Sequence, residues 1–96
     1  MDNYPIKRST ERIPIEVPLT FDHGTGVTRD ISFSGVYFKT KKPFSPGDYM
    51  RFNFELEFAV SQGPVNLDCQ GYVLRVEKIG DQYGVASTID EVTYLN

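Results

Sequence analysis

Apolar residues recur at every second position in two stretches of the chain, the pattern of a β-strand with one buried face. The first stretch runs from Ile13 to Phe21 and carries its two prolines on the opposite face. Because proline has no N–H to donate, we expect this strand to be paired on only one side near those prolines. The second stretch, from Met50 to Phe58, alternates bulky apolar residues with charged or amide residues. It predicts the clearest strand of the chain.

Turn signals delimit further strands. Residues 22–26 (DHGTG) are typical of a tight turn, so the first strand should form a hairpin with a second one. This second strand is predicted from Val27 to Phe33, with Val27, Ile31 and Phe33 partly buried on its inner face. After Ser-Gly, residues 36–40 resume the strand pattern.

The second half of the chain continues the strand pattern. Residues 65–78 predict a long strand, bent or bulged near Gly71, and residues 82–89 the last convincing one. The tail, residues 90–96, has no pattern that assigns its structure. No helical period of adequate length occurs. About six short strands joined by tight turns in 96 residues predict an all-β domain, either a small antiparallel barrel or a rolled-up sheet.

Composition narrows the class of protein. The N-terminus is polar and no apolar run reaches the roughly 20 residues that span a bilayer, so we expect a cytoplasmic protein without membrane insertion. A net charge of −3 argues against a general DNA- or RNA-binding protein. Cys69 is the only cysteine and His23 the only histidine. We interpret Cys69 as a small buried apolar residue and His23 as a turn residue.

A basic cluster precedes the first strand. Arg8 and Arg12 form an R-x-x-x-R pattern, directly preceded by Lys7. Residues four apart project to one side of an extended chain or of a helical turn. Two guanidinium groups on one side can bind phosphates, bind the O6/N7 edge of guanine, or stack on a purine. The alternative interpretation is a solvated basic tail.

A second cluster has the sequence DISFSG and begins at Asp30. On a regular strand, Asp30 and Ser32 share the polar face while Ile31 and Phe33 face the core. The carboxylate there can accept a hydrogen bond from guanine or brace an arginine, and the hydroxyl can donate to a phosphate or a base. Gly35 either takes a left-handed turn conformation or lets a ligand approach the backbone. The alternative is a surface Asp and Ser beside a bulge glycine.

R-x-x-x-R followed by D-x-S-x-x-G resembles the two-part signature of the PilZ domain family, and the likeness covers nearly the whole chain. The resemblance implies a six-stranded antiparallel β-barrel that binds cyclic di-GMP, with a mobile N-terminal arm folding over the ligand. By that resemblance, Arg8 and Arg12 contact phosphate and guanine, while Asp30, Ser32 and Gly35 line the facing strand. The C-terminal helix often seen in the family is short or absent here.

The resemblance also implies a non-enzymatic bacterial signalling receptor, with no cofactor besides the ligand. The arm is assigned to residues 1–12 and the barrel to residues 13–96. Ordering of the arm would be the output signal, passed to an unknown protein effector. In this family a cation directly before the first motif arginine tends to accompany two intercalated ligand molecules. Lys7 therefore predicts two cyclic di-GMP molecules per chain, because one more cation offsets part of the repulsion among four phosphates.

Three alternatives stay open. One is a PilZ-like module that binds protein and no nucleotide. Another is a small barrel that binds single-stranded nucleic acid, although the best aromatic strand alternates with Asn53, Glu55 and Glu57, which have the wrong charge. An enzyme is least favoured, because no acid/base pair or metal set is recognisable. Arg75 interrupts the apolar register of its strand and either reaches the ligand face or pairs with a carboxylate.

Overall fold

The computed structural model describes residues 12–56 and 64–94, whose regular structure consists entirely of strands. The strands are β1 (Ile13–Pro14), β2 (Pro18–Phe21), β3 (Gly24–Ile31), β4 (Gly35–Thr40), β5 (Tyr49–Leu56), β6 (Val65–Ile79), β7 (Gln82–Thr88) and β8 (Glu91–Tyr94). These described residues contain no helix that could cross a membrane. The predicted all-β class is confirmed. The predicted arm lies outside the described residues except for Arg12, so its mobility stays a prediction.

Six strands close into an antiparallel barrel in the order β3-β2-β5-β6-β7-β4, because β4 pairs back onto β3. β6 is 15 residues long, which lets its first half pair with β5 and its second half with β7. β1 adds to the end of β3, and β8 adds to the first half of β6. The structure thus confirms the six-stranded barrel over the rolled-up sheet.

The barrel interior follows the alternation that the sequence shows in β5. Met50, Phe52 and Phe54 are buried, whereas the charged and amide residues between them are exposed. Burial of such large apolar side chains is the main stabilising contribution to a domain of this size. The core cluster consists of Leu19, Val36, Phe38, Met50, Phe52, Phe54, Cys69, Val73 and Val85.

The first predicted strand is interrupted, so β1 and β2 are separate. A buried threonine of β3, Thr28, bridges the break: its hydroxyl accepts from the Val17 N–H at 2.9 Å and donates to the Ile15 carbonyl at 2.5 Å. Backbone groups that leave the ladder are therefore still satisfied. Pro14 and Pro18 each pair with β3 alone, which confirms the expectation of one-sided pairing at the prolines.

The hairpin between β2 and β3 is tighter than predicted. Gly24 already pairs with Phe21, so the turn consists of Asp22 and His23. His23, the second residue of this turn, has a φ of 64°, a left-handed conformation that histidine adopts more readily than most other non-glycine residues. This confirms His23 as a turn residue, and it extends β3 three residues towards the N-terminus relative to the prediction.

The predicted inner face of the second strand is wrong at two of its three positions. Val27 is 46% exposed and Phe33 is 87% exposed, whereas Ile31 packs against the core. At Val27 the cause is a β-bulge between Thr28 and Asp30, since one extra residue moves every earlier side chain of the strand to the opposite face. Phe33 lies beyond the end of β3, in the turn that leads to β4.

The C-terminal tail forms a strand that no sequence pattern indicated. β8 pairs with β6 from Gln70↔Glu91 to Leu67↔Tyr94, and all four of its residues are exposed. A strand without a buried face shows no alternation, which explains why it was not predicted. The register shift of β6 lies between Val73 and Arg75, close to the predicted bend at Gly71.

Candidate functional site

The two sequence motifs meet where β1 pairs with β3. Pairing of Pro14 with Asp30 brings Arg12 alongside, and its Nη1 donates to the Asp30 Oδ1 at 2.5 Å. The two side chains are 50% and 29% exposed, so a ligand can reach both. Of the two uses predicted for the Asp30 carboxylate, the structure shows the bracing of an arginine.

Ser32 stabilises the turn between β3 and β4. Its hydroxyl accepts from the N–H groups of Ser34, at 3.3 Å, and Gly35, at 3.1 Å, while the Ser32 N–H donates to the Gly35 carbonyl at 2.8 Å. The side chain is buried, so the prediction that it shares the exposed face of Asp30 is wrong. The strand has already ended at Ile31, and alternation no longer applies. Its role in binding stays a prediction.

Position 35 needs a glycine because the backbones of β4 and β7 lie very close together there. A Cβ there would lie 2.9 Å from the Ser87 carbonyl oxygen of the neighbouring β7. Gly35 does not have the left-handed conformation, which Gly47 and Gly80 adopt among the described glycines. Gly35 therefore lets β4 approach β7 closely next to the turn. Its predicted contact with a ligand remains untested.

Lys7 and Arg8 lie outside the described residues. Their predicted contacts with phosphate and guanine therefore stay predictions. Of the three candidate cations at the N-terminus, Arg12 is the one whose place relative to Asp30 is known.

Arg75 lies beside a tyrosine that the sequence analysis did not single out. Its guanidinium carbon is 5.8 Å from the centre of the Tyr37 ring. The Tyr37 hydroxyl donates to the Glu77 carboxylate at 3.0 Å; burial, and next this hydrogen bond, raise the pKa of Tyr37. Within the described part of the chain no carboxylate forms a salt bridge with Arg75. In the sequence, the only feature that could have drawn attention to Tyr37 is its position two residues after Gly35 of the second motif.

Two other groups have structural roles. Beside the β2–β3 hairpin, Arg51 of β5 donates three hydrogen bonds to the Asp68 carboxylate, the shortest at 2.7 Å. Burial, and then Asp68, raise the pKa of the Cys69 thiol to about 11, so the thiol is protonated and unreactive at neutral pH. Cys69 is 1% exposed and belongs to the core cluster, which confirms it as a buried apolar residue. The described residues hold no cluster of three or more potential metal ligands.

A sequence model described as "PilZ domain" matches residues 6–94, including both motifs. The chain belongs to the PilZ domain family. It is thus a domain of a family that binds cyclic di-GMP, whose members are generally non-catalytic receptor domains.

A solved structure shares the PilZ fold. The Bacillus subtilis inhibitor of motility (MotI/DgrA) is similar with a TM-score of 0.73 over 85% of this chain, at 12% identity. This chain spans 42% of the length of that protein, and at this identity the likeness shows the fold alone. A search of curated proteins found no significant match.

Proposed function

We propose that this PilZ domain is a non-enzymatic receptor for cyclic di-GMP. The observation that carries the proposal is the ion pair between Arg12 and Asp30, which brings the last residue of R-x-x-x-R to the first residue of D-x-S-x-x-G. Cyclic di-GMP offers anionic phosphates and guanine N–H donors. A guanidinium and a carboxylate, both partly exposed, match those two kinds of group.

Each predicted site residue has a distinct part in this proposal. Arg12 turns its planar fork to a phosphate or to the O6/N7 edge of guanine, and Asp30 accepts from the guanine N–H groups. Ser32 and Gly35 shape the turn below the ligand. Arg8 supplies the second guanidinium from the arm, which closes over the ligand. The ordering of the arm is the signal, because a newly ordered segment presents a surface to a protein effector.

Calorimetric titration of the unaltered protein with cyclic di-GMP, GTP and a short oligonucleotide tests this function. We expect tight binding of cyclic di-GMP alone. Arg8→Ala and Arg12→Ala should each weaken it by about 2–5 kcal/mol, as expected for truncating one partner of a close charged contact, and Asp30→Ala by about 1–3 kcal/mol. Arg51→Ala is the matched control, because it removes an arginine that pairs with an aspartate beside the β2–β3 hairpin, at the other end of β3 from Asp30.

The control should bind cyclic di-GMP as the unaltered protein does, with a thermal melt to verify that it is folded. Two results would contradict the proposal: an unaltered protein that does not bind cyclic di-GMP, or an Arg12→Ala variant with full affinity. Equal losses in Arg12→Ala and Arg51→Ala would show a general charge effect rather than a site.

The stoichiometry is a separate part of the proposal. Lys7 adds a cation next to Arg8, which favours two intercalated ligands with their four phosphate charges. The titration should reach two ligands per chain, and Lys7→Leu should lower that ratio towards one while binding persists. A ratio near one in the unaltered protein would contradict the intercalated dimer.

A protein-binding module without nucleotide affinity is the second candidate. An apolar cavity of about 390 Å³ lies beside the β3–β4 turn. At its rim, Phe33 is 87% exposed and Tyr94 is 72% exposed, and exposed apolar clusters often mark contact surfaces. Failure of the unaltered protein to bind cyclic di-GMP in the titration would favour this candidate.

A further inference from the structure

A row of residues crosses four neighbouring strands of the barrel wall next to the Arg12–Asp30 pair. Asp30 of β3 pairs with Tyr37 of β4, Tyr37 with Ala86 of β7, and Ala86 with Arg75 of β6. Neighbouring strands are about 4.8 Å apart, so Arg75 lies roughly 14 Å across the wall from Asp30. Tyr37 lies between Asp30 and Arg75 in this row: it pairs with Asp30, and its ring lies against the Arg75 guanidinium.

A glycine lets the Tyr37 ring lie across the adjacent strand. In the next row, Lys39 of β4 pairs with Gly84 of β7, and Gly84 with Glu77 of β6. A Cβ at position 84 would overlap the Tyr37 hydroxyl. That hydroxyl donates to Glu77, so the far end of the ring is held by a hydrogen bond. The ring therefore has a defined orientation on the outside of the barrel.

Arg75 is the exposed cation that covers this ring. A guanidinium 5.8 Å from the ring centre is attracted by the ring's π-electrons. Arg29 and Lys39 belong to the same part of the wall, and within the described residues none of the three cations forms a salt bridge. Arg12 and Arg51 do. Three cations outside salt bridges thus share this face with one such carboxylate, that of Glu77, so the face is net positive on a protein whose net charge is −3.

We propose that Arg75, positioned by Tyr37, is a further binding residue that contacts a guanine of cyclic di-GMP lying across β4 and β7. This inference rests on the proposed function. The tyrosine covers one side of the guanidinium and leaves the remaining donors for a ligand. A planar fork matches the O6 and N7 acceptors of guanine, or stacks on the base. Because Tyr37 already restricts the Arg75 side chain in the ligand-free protein, less conformational entropy of that side chain is lost on binding.

The test compares Arg75→Ala and Arg75→Lys in calorimetric titrations with cyclic di-GMP. Loss of a bidentate base contact should weaken binding about 5- to 150-fold. Lysine should not restore it, because an ammonium keeps the charge and lacks the planar fork. Lys78→Ala is the matched control: Lys78 lies on the same strand, 5.6 Å from the Tyr83 ring, three residues further along and on the opposite face of β6.

Two variants of the tyrosine test the positioning role. Tyr37→Phe retains the ring and should bind nearly as tightly as the unaltered protein, whereas Tyr37→Leu removes it and should weaken binding several-fold. Thermal melts identify any variant that fails to fold, and Arg75→Ala provides the test at an exposed site. Tyr37→Leu with full affinity would contradict the positioning role.

The outcomes separate this inference from the proposed function. Full affinity of Arg75→Ala, with the unaltered protein still binding cyclic di-GMP, overturns the inference and leaves the proposed function standing. Rescue by Arg75→Lys shows a contact with phosphate charge and overturns the guanine contact. An equal loss in Lys78→Ala shows a general charge effect and overturns it also. No binding by the unaltered protein overturns both proposals together.

Discussion

Replacement of Ser32 by alanine tests how the β3–β4 turn is stabilised. On a regular strand this hydroxyl would face a ligand, and its loss would weaken binding without affecting the fold. In the structure it is buried and accepts hydrogen bonds from two backbone N–H groups, those of Ser34 and Gly35. Ser32→Ala should therefore destabilise the domain even when no ligand is present.

The magnitude follows from the burial of the two donors. The Gly35 N–H is buried, whereas the Ser34 N–H is partly accessible to water. We therefore count one unsatisfied donor, which costs about 1–3 kcal/mol. For a domain of this size, about 2 kcal/mol corresponds to a decrease in melting temperature of roughly 8–16 °C.

Thermal unfolding followed by circular dichroism measures this effect. Ser34→Ala is the control, because Ser34 is exposed and its hydroxyl makes no hydrogen bond within the described residues. The Ser34→Ala control should have the same melting temperature as the unaltered protein. A Ser32→Ala variant that melts normally but binds cyclic di-GMP weakly would refute the structural role and restore the ligand-facing one.

Two further predictions concern the core and its thiol. Phe38→Ala should lower the free energy of unfolding by about 3–5 kcal/mol, because its ring is fully buried. Phe33→Ala should change the free energy of unfolding little, because that ring is 87% exposed. Similar losses for the two variants in denaturant titrations would contradict the outward orientation of Phe33. The raised pKa of Cys69, about 11 against an ordinary 9.0, means that the folded state holds the thiol proton more tightly. This stabilising contribution is complete below about pH 9 and is lost as the pH rises towards 11, so Cys69→Ala should lose less stability over that range. A normal rate of thiol labelling in the native protein at pH 8 would contradict the burial.

Regular strands could be predicted from the sequence, because their alternation is a local property. In β5, the inward positions Met50, Phe52 and Phe54 follow from the period of two alone. The PilZ motifs were also visible as residue types at fixed spacing. The role of Asp30 as a brace for an arginine was among the predicted possibilities, because it needs only a carboxylate near the arm.

Only the tertiary structure decided which face each residue of the second motif occupies. The end of β3 at Ile31 turns Ser32 inwards and Phe33 outwards, and a bulged residue just before the motif puts Val27 on the outer face. Neither a bulge nor a strand end is encoded in hydrophobic periodicity, since both depend on pairing with another strand. Tyr37 and Arg75 likewise become neighbours through the ladder of β4, β7 and β6, although 38 positions separate them in the chain. Contacts of this kind are set by strand register, which forms only when the barrel closes.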